Sequence, residues 1–487
     1  MSNYFNEFVK TALKHQNNDA VIFPICKKGK LIGEKRYLYK EIVKHIQSAN
    51  EIITAKNKKR KPVGLLLSNS PLFPSAFLSI LSADFIVVPV YPSATREVIE
   101  KILSDNEIKV IISDRKHNEL FKRFDFKNLV ILNIEDIISS GKEVVLKSFK
   151  TINDVAIISY TSGTSGVPKG ALITNKNIVF VTQKYCELYK LNLKSRVLAA
   201  LPLWHNYGMF AALLSNFLIG GSVIFLDKWS SQIAMEIICK YKVTVFPGSP
   251  FMYIDMVNDV SKTYDMSSLK VCDSGGYSLP VEYIKRFEKK TGAIITEGYG
   301  LTETTSLTHF NYSAIDRKVG SIGKAIPEVI CKIVNNDGKK AKVEEYGLLW
   351  VKGPMVCKGY SNLKSLNFRN SWFNTGDIVK IDSSGNYFIA GRLSDVKQVG
   401  VGDSSFPRYI EEILYEFKGV VRVYARRNLK NNQSYDLFVI LKDVDYRPGF
   451  VNFLKSNLPD IKFDKIFYVK KMPVTGTGKI RFNSING

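Results

Sequence analysis

Short, nearly continuous apolar runs punctuate the first third of the chain, at 63–67, 85–90, 109–113, 129–133 and 155–159. Stretches between them, such as 72–83 and 96–105, place their apolar residues at helical spacing. A strand apolar at every position is buried on both faces, as in a parallel sheet covered by helices on each side. After about residue 320 the texture changes. Strand-like pieces at 329–334, 348–352, 377–381 and 386–390 are separated by Asp-Gly, Tyr-Gly and Ser-Gly turns, which predicts an antiparallel region. Beyond Gly391-Arg392 a shorter segment has its own β and α pattern and a Gly/Thr-rich tail. The prediction is an α/β chain with a large N-terminal domain, residues 1–390, and a small C-terminal domain, residues 391–487. Residues 206–226 carry no charge and are long enough to cross a bilayer, but Gly220-Gly221 and the β-rich end read instead as a buried helix, a turn and a buried strand.

Composition changes this picture little. Apolar residues at 45% and charged residues at 23% are ordinary globular usage and exclude disordered, collagen-like or mucin-like chains. Six scattered cysteines without a C-x-x-C pair, and five histidines without ligand spacing, argue against structural zinc. An amphipathic N-terminus without the apolar core of a signal peptide leads to the expectation of a reduced, cytoplasmic protein. The net charge of +24 is spread along the chain rather than gathered in a stripe, so no nucleic acid partner is expected. The run Lys56–Lys61 reads as a solvated loop before a strand.

The candidate chemistry begins at Tyr160-Thr-Ser-Gly-Thr-Ser-Gly-Val-Pro-Lys-Gly170, directly after an apolar run. Gly163, Gly166 and Gly170 let backbone N–H groups turn toward an anion, Thr161, Ser162, Thr164 and Ser165 add hydroxyls, and Lys169 adds a positive charge. Such a loop suits a polyphosphate, although no Walker A pattern fits it. These residues resemble the phosphate loop of the adenylate-forming superfamily, which includes acyl-CoA synthetases, adenylation domains of peptide synthetases and beetle luciferases. The family's other motifs follow in order: Leu201-Pro-Leu-Trp-His-Asn-Tyr-Gly208, Ser274-Gly-Gly276, Gly298-Tyr-Gly-Leu-Thr-Glu-Thr304, Gly320-Ser-Ile-Gly323 with Pro327, Asn374-Thr-Gly-Asp377, Gly391-Arg392 with Asp395, and Pro473-Val-Thr-Gly-Thr-Gly-Lys479.

The resemblance implies an α/β fold whose large domain adds a β-barrel-like region to its helix-covered sheets, with a small, mobile α+β C-terminal domain. It implies ATP and Mg²⁺ as cofactors, and ATP-dependent activation of a carboxylic acid followed by transfer to a phosphopantetheine thiol. The physical demand is to bring two anions together, so positioning and charge neutralisation carry the step. Tyr299 offers a face to adenine, beside the pocket segments that hold Gly275, Gly276 and Gly300. Thr302 offers a hydroxyl to the α-phosphate, Glu303 a hard ligand for Mg²⁺ together with Thr164, and Asp377 two acceptors for the ribose, supported by Arg392. By the same resemblance Lys479 bridges carboxylate and α-phosphate, His205 borders the acyl pocket, and Asp395 is the hinge. Trp204, Met209, Tyr277 and Thr304 are the candidate pocket lining, with Tyr277 either filling the pocket or packing outward. The segment Trp204–Tyr207 has no acidic residue to hold an α-ammonium, so the acid is expected to lack an α-amino group.

Three departures stand out. Asn175 replaces a frequent His and is expected to cap the following helix. The stretch after the hinge is one residue longer than usual, and Arg408 and Tyr409 occupy a position where an acidic residue is common. A cation gained near the thiol entrance favours an anionic acceptor, which leans toward a separate acidic carrier protein over coenzyme A, with both left open. A nucleotide-binding pseudoenzyme with a regulatory role is the alternative outside catalysis.

Overall fold

The computed structural model describes residues 2–124, 126, 128–139, 144–161, 168–312, 316–361, 363, 365, 367–393, 406–428 and 434–472. One sheet runs in the order Val130–Asn133, Val110–Ser113, Val63–Leu66, Val87–Pro89, Val155–Tyr160, Gly170–Thr174, parallel except for its last pair. A second sheet of nine strands has a parallel centre that includes Arg196–Ala199, Val245–Gly248, Val271–Gly275 and Ile295–Tyr299. Strands such as Val63–Leu66 and Val110–Ser113 are buried at every position, which is why they read as unbroken apolar runs. The predicted helices appear as Phe73–Ser82 and Arg96–Asp105.

The antiparallel region is also present. Ile330–Val334, Gly347–Lys352, Trp372–Ile381 and Tyr387–Arg392 pair in antiparallel ladders. Gly338 and Gly385 take the positive φ that the Asp-Gly and Ser-Gly turns require. The last of these strands runs through Gly391-Arg392 and brings Arg392 opposite Asp377. The uncharged segment forms a π-helical stretch Gly208–Leu214, a helix Ser215–Ile219 closed by left-handed Gly220, and the strand Ser222–Phe225. Among the described residues no helix is long and apolar enough to cross a membrane.

One local expectation needs correction. Asn175 is not the cap of the helix Asn175–Leu188: Thr174 Oγ1 accepts from the Asn177 amide at 3.3 Å, and Asn177 Oδ1 accepts from the Thr174 amide at 2.7 Å. Thr174 has the extended backbone a cap needs, whereas Asn175 lies inside the first turn and donates instead to the Thr151 carbonyl at 3.0 Å.

The helices Pro407–Tyr415 and Tyr446–Asn457 pack on the strands Val420–Arg427, Ser434–Leu441 and Lys462–Tyr468 around a separate apolar core that includes Ile410, Leu414, Leu437 and Phe450. This unit meets the large one through named contacts. Glu412 Oε2 accepts from the Val281 amide at 3.0 Å, the Tyr283 hydroxyl donates to the Val421 carbonyl at 3.1 Å, and Arg422 pairs with Asp255 at 3.0 Å. Arg408 lies in the same joint, donating to Ser278 Oγ and to the Gly320 carbonyl, with Glu412 at 3.7 Å. Its guanidinium is therefore engaged between the two units, and the expectation of a free cation at the acceptor mouth does not hold in this arrangement. Tyr409, at 55% exposure, faces solvent.

Candidate functional site

The phosphate loop spans the hairpin between Val155–Tyr160 and Gly170–Thr174, and its base is closed by the Thr161 amide donating to the Lys169 carbonyl at 2.9 Å. Ser162, Gly163, Thr164, Ser165 and Gly166 lie outside the described residues, as do the hinge residue Asp395 and Lys479. Lys169 Nζ stands 5.6 Å from the ring centroid of Tyr360, a cation over an aromatic face. The hydroxyl of Tyr360 donates to Glu303 Oε1 at 2.6 Å. Lys169 and Glu303, far apart in sequence, are thus joined through one side chain that the motifs did not single out. The signal for Tyr360 was faint: a Gly359-Tyr360 pair after a strand.

Glu303 sits in the short turn Thr302–Thr304, buried, and its carbonyl accepts from the Cys357 amide at 2.8 Å. A buried carboxylate held by a single hydroxyl is a hard oxygen donor of the kind that Mg²⁺ takes. Thr304 is fully buried, and its hydroxyl closes the turn by accepting from the Leu301 amide at 2.9 Å, a structural bond rather than a pocket wall. Asn206 connects this turn to the central motif: its Nδ2 reaches the Thr302 carbonyl at 3.4 Å and its Oδ1 accepts from Ser159 Oγ at 2.7 Å. Thr302 and His205 are therefore brought to neighbouring positions.

His205 Nδ1 accepts from the Tyr207 amide at 3.3 Å, and the His205 carbonyl accepts from the Met209 amide at 2.9 Å. Trp204 packs on Tyr91 at 5.4 Å between ring centroids, and Met209 is fully buried. Tyr277 is anchored elsewhere, since its hydroxyl accepts from the Phe251 amide at 2.9 Å on the helix Pro250–Asn258.

The nucleotide end is compact. Asp377, 3% exposed, accepts from the Tyr299 hydroxyl at Oδ2 and pairs with Arg392 Nε at 3.0 Å through Oδ1. The Tyr299 ring meets the edge of His309 at 5.7 Å, and burial holds that imidazole down to about 3, so it stays neutral at physiological pH. A Cβ on Gly300 would lie 2.2 Å from the Ser306 carbonyl oxygen, so no side chain fits there. At Gly275 a Cβ would lie 3.0 Å from the Tyr207 ring, whereas Gly276 has φ +97 and open space. Behind this wall Asp273 accepts the hydroxyls of Tyr189 and Tyr207, and burial raises its carboxyl to about 6. It is a second residue that the motifs passed over, marked only as a lone acid within the buried strand Val271–Gly275.

The family model of AMP-binding enzymes matches residues 8–361. The chain is 30% identical over 478 residues to a long-chain-fatty-acid–CoA ligase of Bacillus subtilis, covering 87% of this chain and 84% of the relative. A 4-coumarate–CoA ligase-like protein of Arabidopsis thaliana is 28% identical, with 86% and 79% covered. Among solved structures, an anthranilate CoA ligase in complex with anthranoyl-AMP superposes with a TM-score of 0.89 at 22% identity, covering 98% of this chain and 95% of that one. An O-succinylbenzoate coenzyme A synthetase of Bacillus subtilis, in complex with ATP and magnesium, superposes with a TM-score of 0.86 at 22% identity over 98% of each chain. At these identities the superpositions establish the fold.

Proposed function

The chain belongs to the AMP-binding enzyme family of ATP-dependent acid–thiol ligases, and from that premise we propose that it activates a carboxylic acid without an α-amino group and transfers it to the thiol of coenzyme A. In the first step a carboxylate oxygen attacks the α-phosphorus of ATP, the bond to pyrophosphate breaks, and an acyl-adenylate forms. In the second, the thiol sulfur attacks the acyl carbon, AMP leaves, and a thioester results.

The observation that carries this reading is that two separate clusters are anchored on one short segment, through Tyr299 and Glu303. Tyr299, Asp377 and Arg392 form one, suited to a base and a ribose. Lys169, Tyr360 and Glu303 form the other, suited to phosphates. Glu303 would hold Mg²⁺, which supplies charge neutralisation on the phosphates, and Lys169 contributes a fixed cation to the same end. Asn206 ties the Thr302 turn to the His205 segment, so the acid and the α-phosphate would meet at that junction. The names of the relatives support coenzyme A as acceptor. The local argument for an acidic carrier rested on a carboxylate lost at Tyr409 and a cation gained at Arg408, and the Arg408 guanidinium is engaged in the joint.

The test is ATP–pyrophosphate exchange across a panel of acids, short, long, aryl and α-amino, followed by thioester formation with coenzyme A and with a phosphopantetheinylated carrier. Exchange dependent on a non-amino acid, with coenzyme A consumed, is expected. Exchange driven only by α-amino acids, or by none, overturns the reading.

A further inference from the structure

Asp273 is an expensive residue for its place. It is fully buried on the strand Val271–Gly275, and its Oδ1 lies against the backbone of Gly298 on the neighbouring strand. Its Oδ2 accepts from the Tyr189 hydroxyl at 2.5 Å and from the Tyr207 hydroxyl at 2.8 Å. Taking a carboxylate out of water costs stability even when it is hydrogen-bonded, and an apolar side chain of the same size would serve the core better.

What the acid does hold is a particular tyrosine. Tyr207 lies two residues after His205 and donates its amide to His205 Nδ1 at 3.3 Å. Its hydroxyl also lies 2.8 Å from the Asp273 carbonyl, so its single proton is shared between two oxygens of one residue and the ring is fixed at its far end. That ring fills the space behind Gly275, where a Cβ would approach it to 3.0 Å. A Cβ on Gly298 would likewise come to 3.0 Å from Asp273 Oδ1. Tyr189 braces the same carboxylate from the helix that ends at Leu188.

We propose that Asp273 is a positioning residue for the acid: through Tyr207 it holds the His205 turn in register with the glycine-lined strand ends at Gly275 and Gly298. This rests on the proposed function, in which the His205 segment borders the acid. A change at Asp273 would then move the acid-binding turn more than the Asp377–Arg392 pair, which stands on two other strands and its own ion pair.

The experiment compares Asp273→Leu, Asp273→Asn and Tyr207→Phe with wild type by pyrophosphate exchange. KM is taken separately for the acid and for ATP, and calorimetry gives the affinity for a non-hydrolysable ATP analogue. Loss of the carboxylate in Asp273→Leu leaves Tyr207 only the main-chain carbonyl and Tyr189 no acceptor there, and is expected to raise the acid KM by about tenfold, with ATP affinity within about threefold. Asp273→Asn keeps an acceptor oxygen for the tyrosines and should recover most of the acid KM. Tyr207→Phe keeps the ring and should shift the acid KM in the same direction as Leu, so it carries the test where Asp273→Leu fails to fold. If wild type exchanges but Tyr207→Phe and the foldable Asp273 variants leave the acid KM unchanged, or raise acid and ATP KM together, the proposal is overturned. Absence of exchange in wild type with every acid overturns the functional reading instead.

Discussion

Glu297→Gln should make the protein more stable at alkaline pH and leave it unchanged in acid. Glu297 lies two residues before Tyr299, is 6% exposed, and has no hydrogen-bond partner at Oε2. Burial pushes its carboxyl up to about 7, while the Arg408 guanidinium pulls the other way and Glu412 adds to the rise. A carboxyl that holds its proton more tightly when folded favours the native state below its ordinary range near 4.5, and that advantage is lost as pH climbs through about 7. The separation between the two values corresponds to about 3 kcal/mol of destabilisation at pH 8.5. Gln keeps the shape and one acceptor oxygen but cannot ionise. Melting followed at pH 3.5 and pH 8.5 should show the variant level with wild type at the lower pH and higher by up to about 3 kcal/mol at the upper. A gap of the same size at both pH values, or a variant less stable at pH 8.5, would refute the reasoning. Because Arg408 eases the ionised form, the alkaline benefit of Glu297→Gln should grow in an Arg408→Ala background.

Asp377→Ala leaves the buried Tyr299 hydroxyl without its acceptor and should cost about 2 kcal/mol in a melt, with a loss of ATP affinity seen by calorimetry; Asp377→Asn should recover the stability. Tyr360→Phe keeps the ring beneath Lys169 but deletes the bond to Glu303, and should slow pyrophosphate exchange by about tenfold, the worth of one bond to a charged group. Lys479→Ala should slow the same exchange by ~10² to 10³ while the melting temperature stays at the wild-type value.

The legible part of the fold was the part with a local cause. A strand buried on both faces must be apolar throughout, so the run at 109–113 foretold Val110–Ser113 almost to the residue, whereas the run at 129–133 forms the edge strand Val130–Asn133, where Val130 is exposed. Turns that need a positive φ announce themselves with glycine, as at Gly338 and Gly385. Capping was less legible, because Thr174, Asn175 and Asn177 are all plausible cap residues by type. Only the backbone decides among them: Thr174 is extended at the boundary, and Asn177 returns the bond. The site divides in the same way. Residues inside a dense motif, such as Tyr299, Glu303 and Asp377, could be picked out from the sequence as candidates. Their partners could not, since Tyr360 and Asp273 gain meaning only when distant strands bring them to Glu303 and Tyr207.

Arg408 shows why a local reading of charge can misplace a residue's role. In the sequence it is a cation gained on a loop associated with the acceptor. In the fold it reaches Ser278 and Gly320 of the large unit and Glu412 of its own helix, while Glu412 also takes the Val281 amide. A charge engaged in this way offers little to an incoming phosphate or an acidic partner, because its field is already balanced by the carboxylate and directed at the carbonyl. Each of its contacts to the large unit exists only while the two units keep this arrangement, and each is lost if the small one turns away. On the proposed reading, in which the small unit turns between two half-reactions, the departure from the family pattern acts on which arrangement is populated.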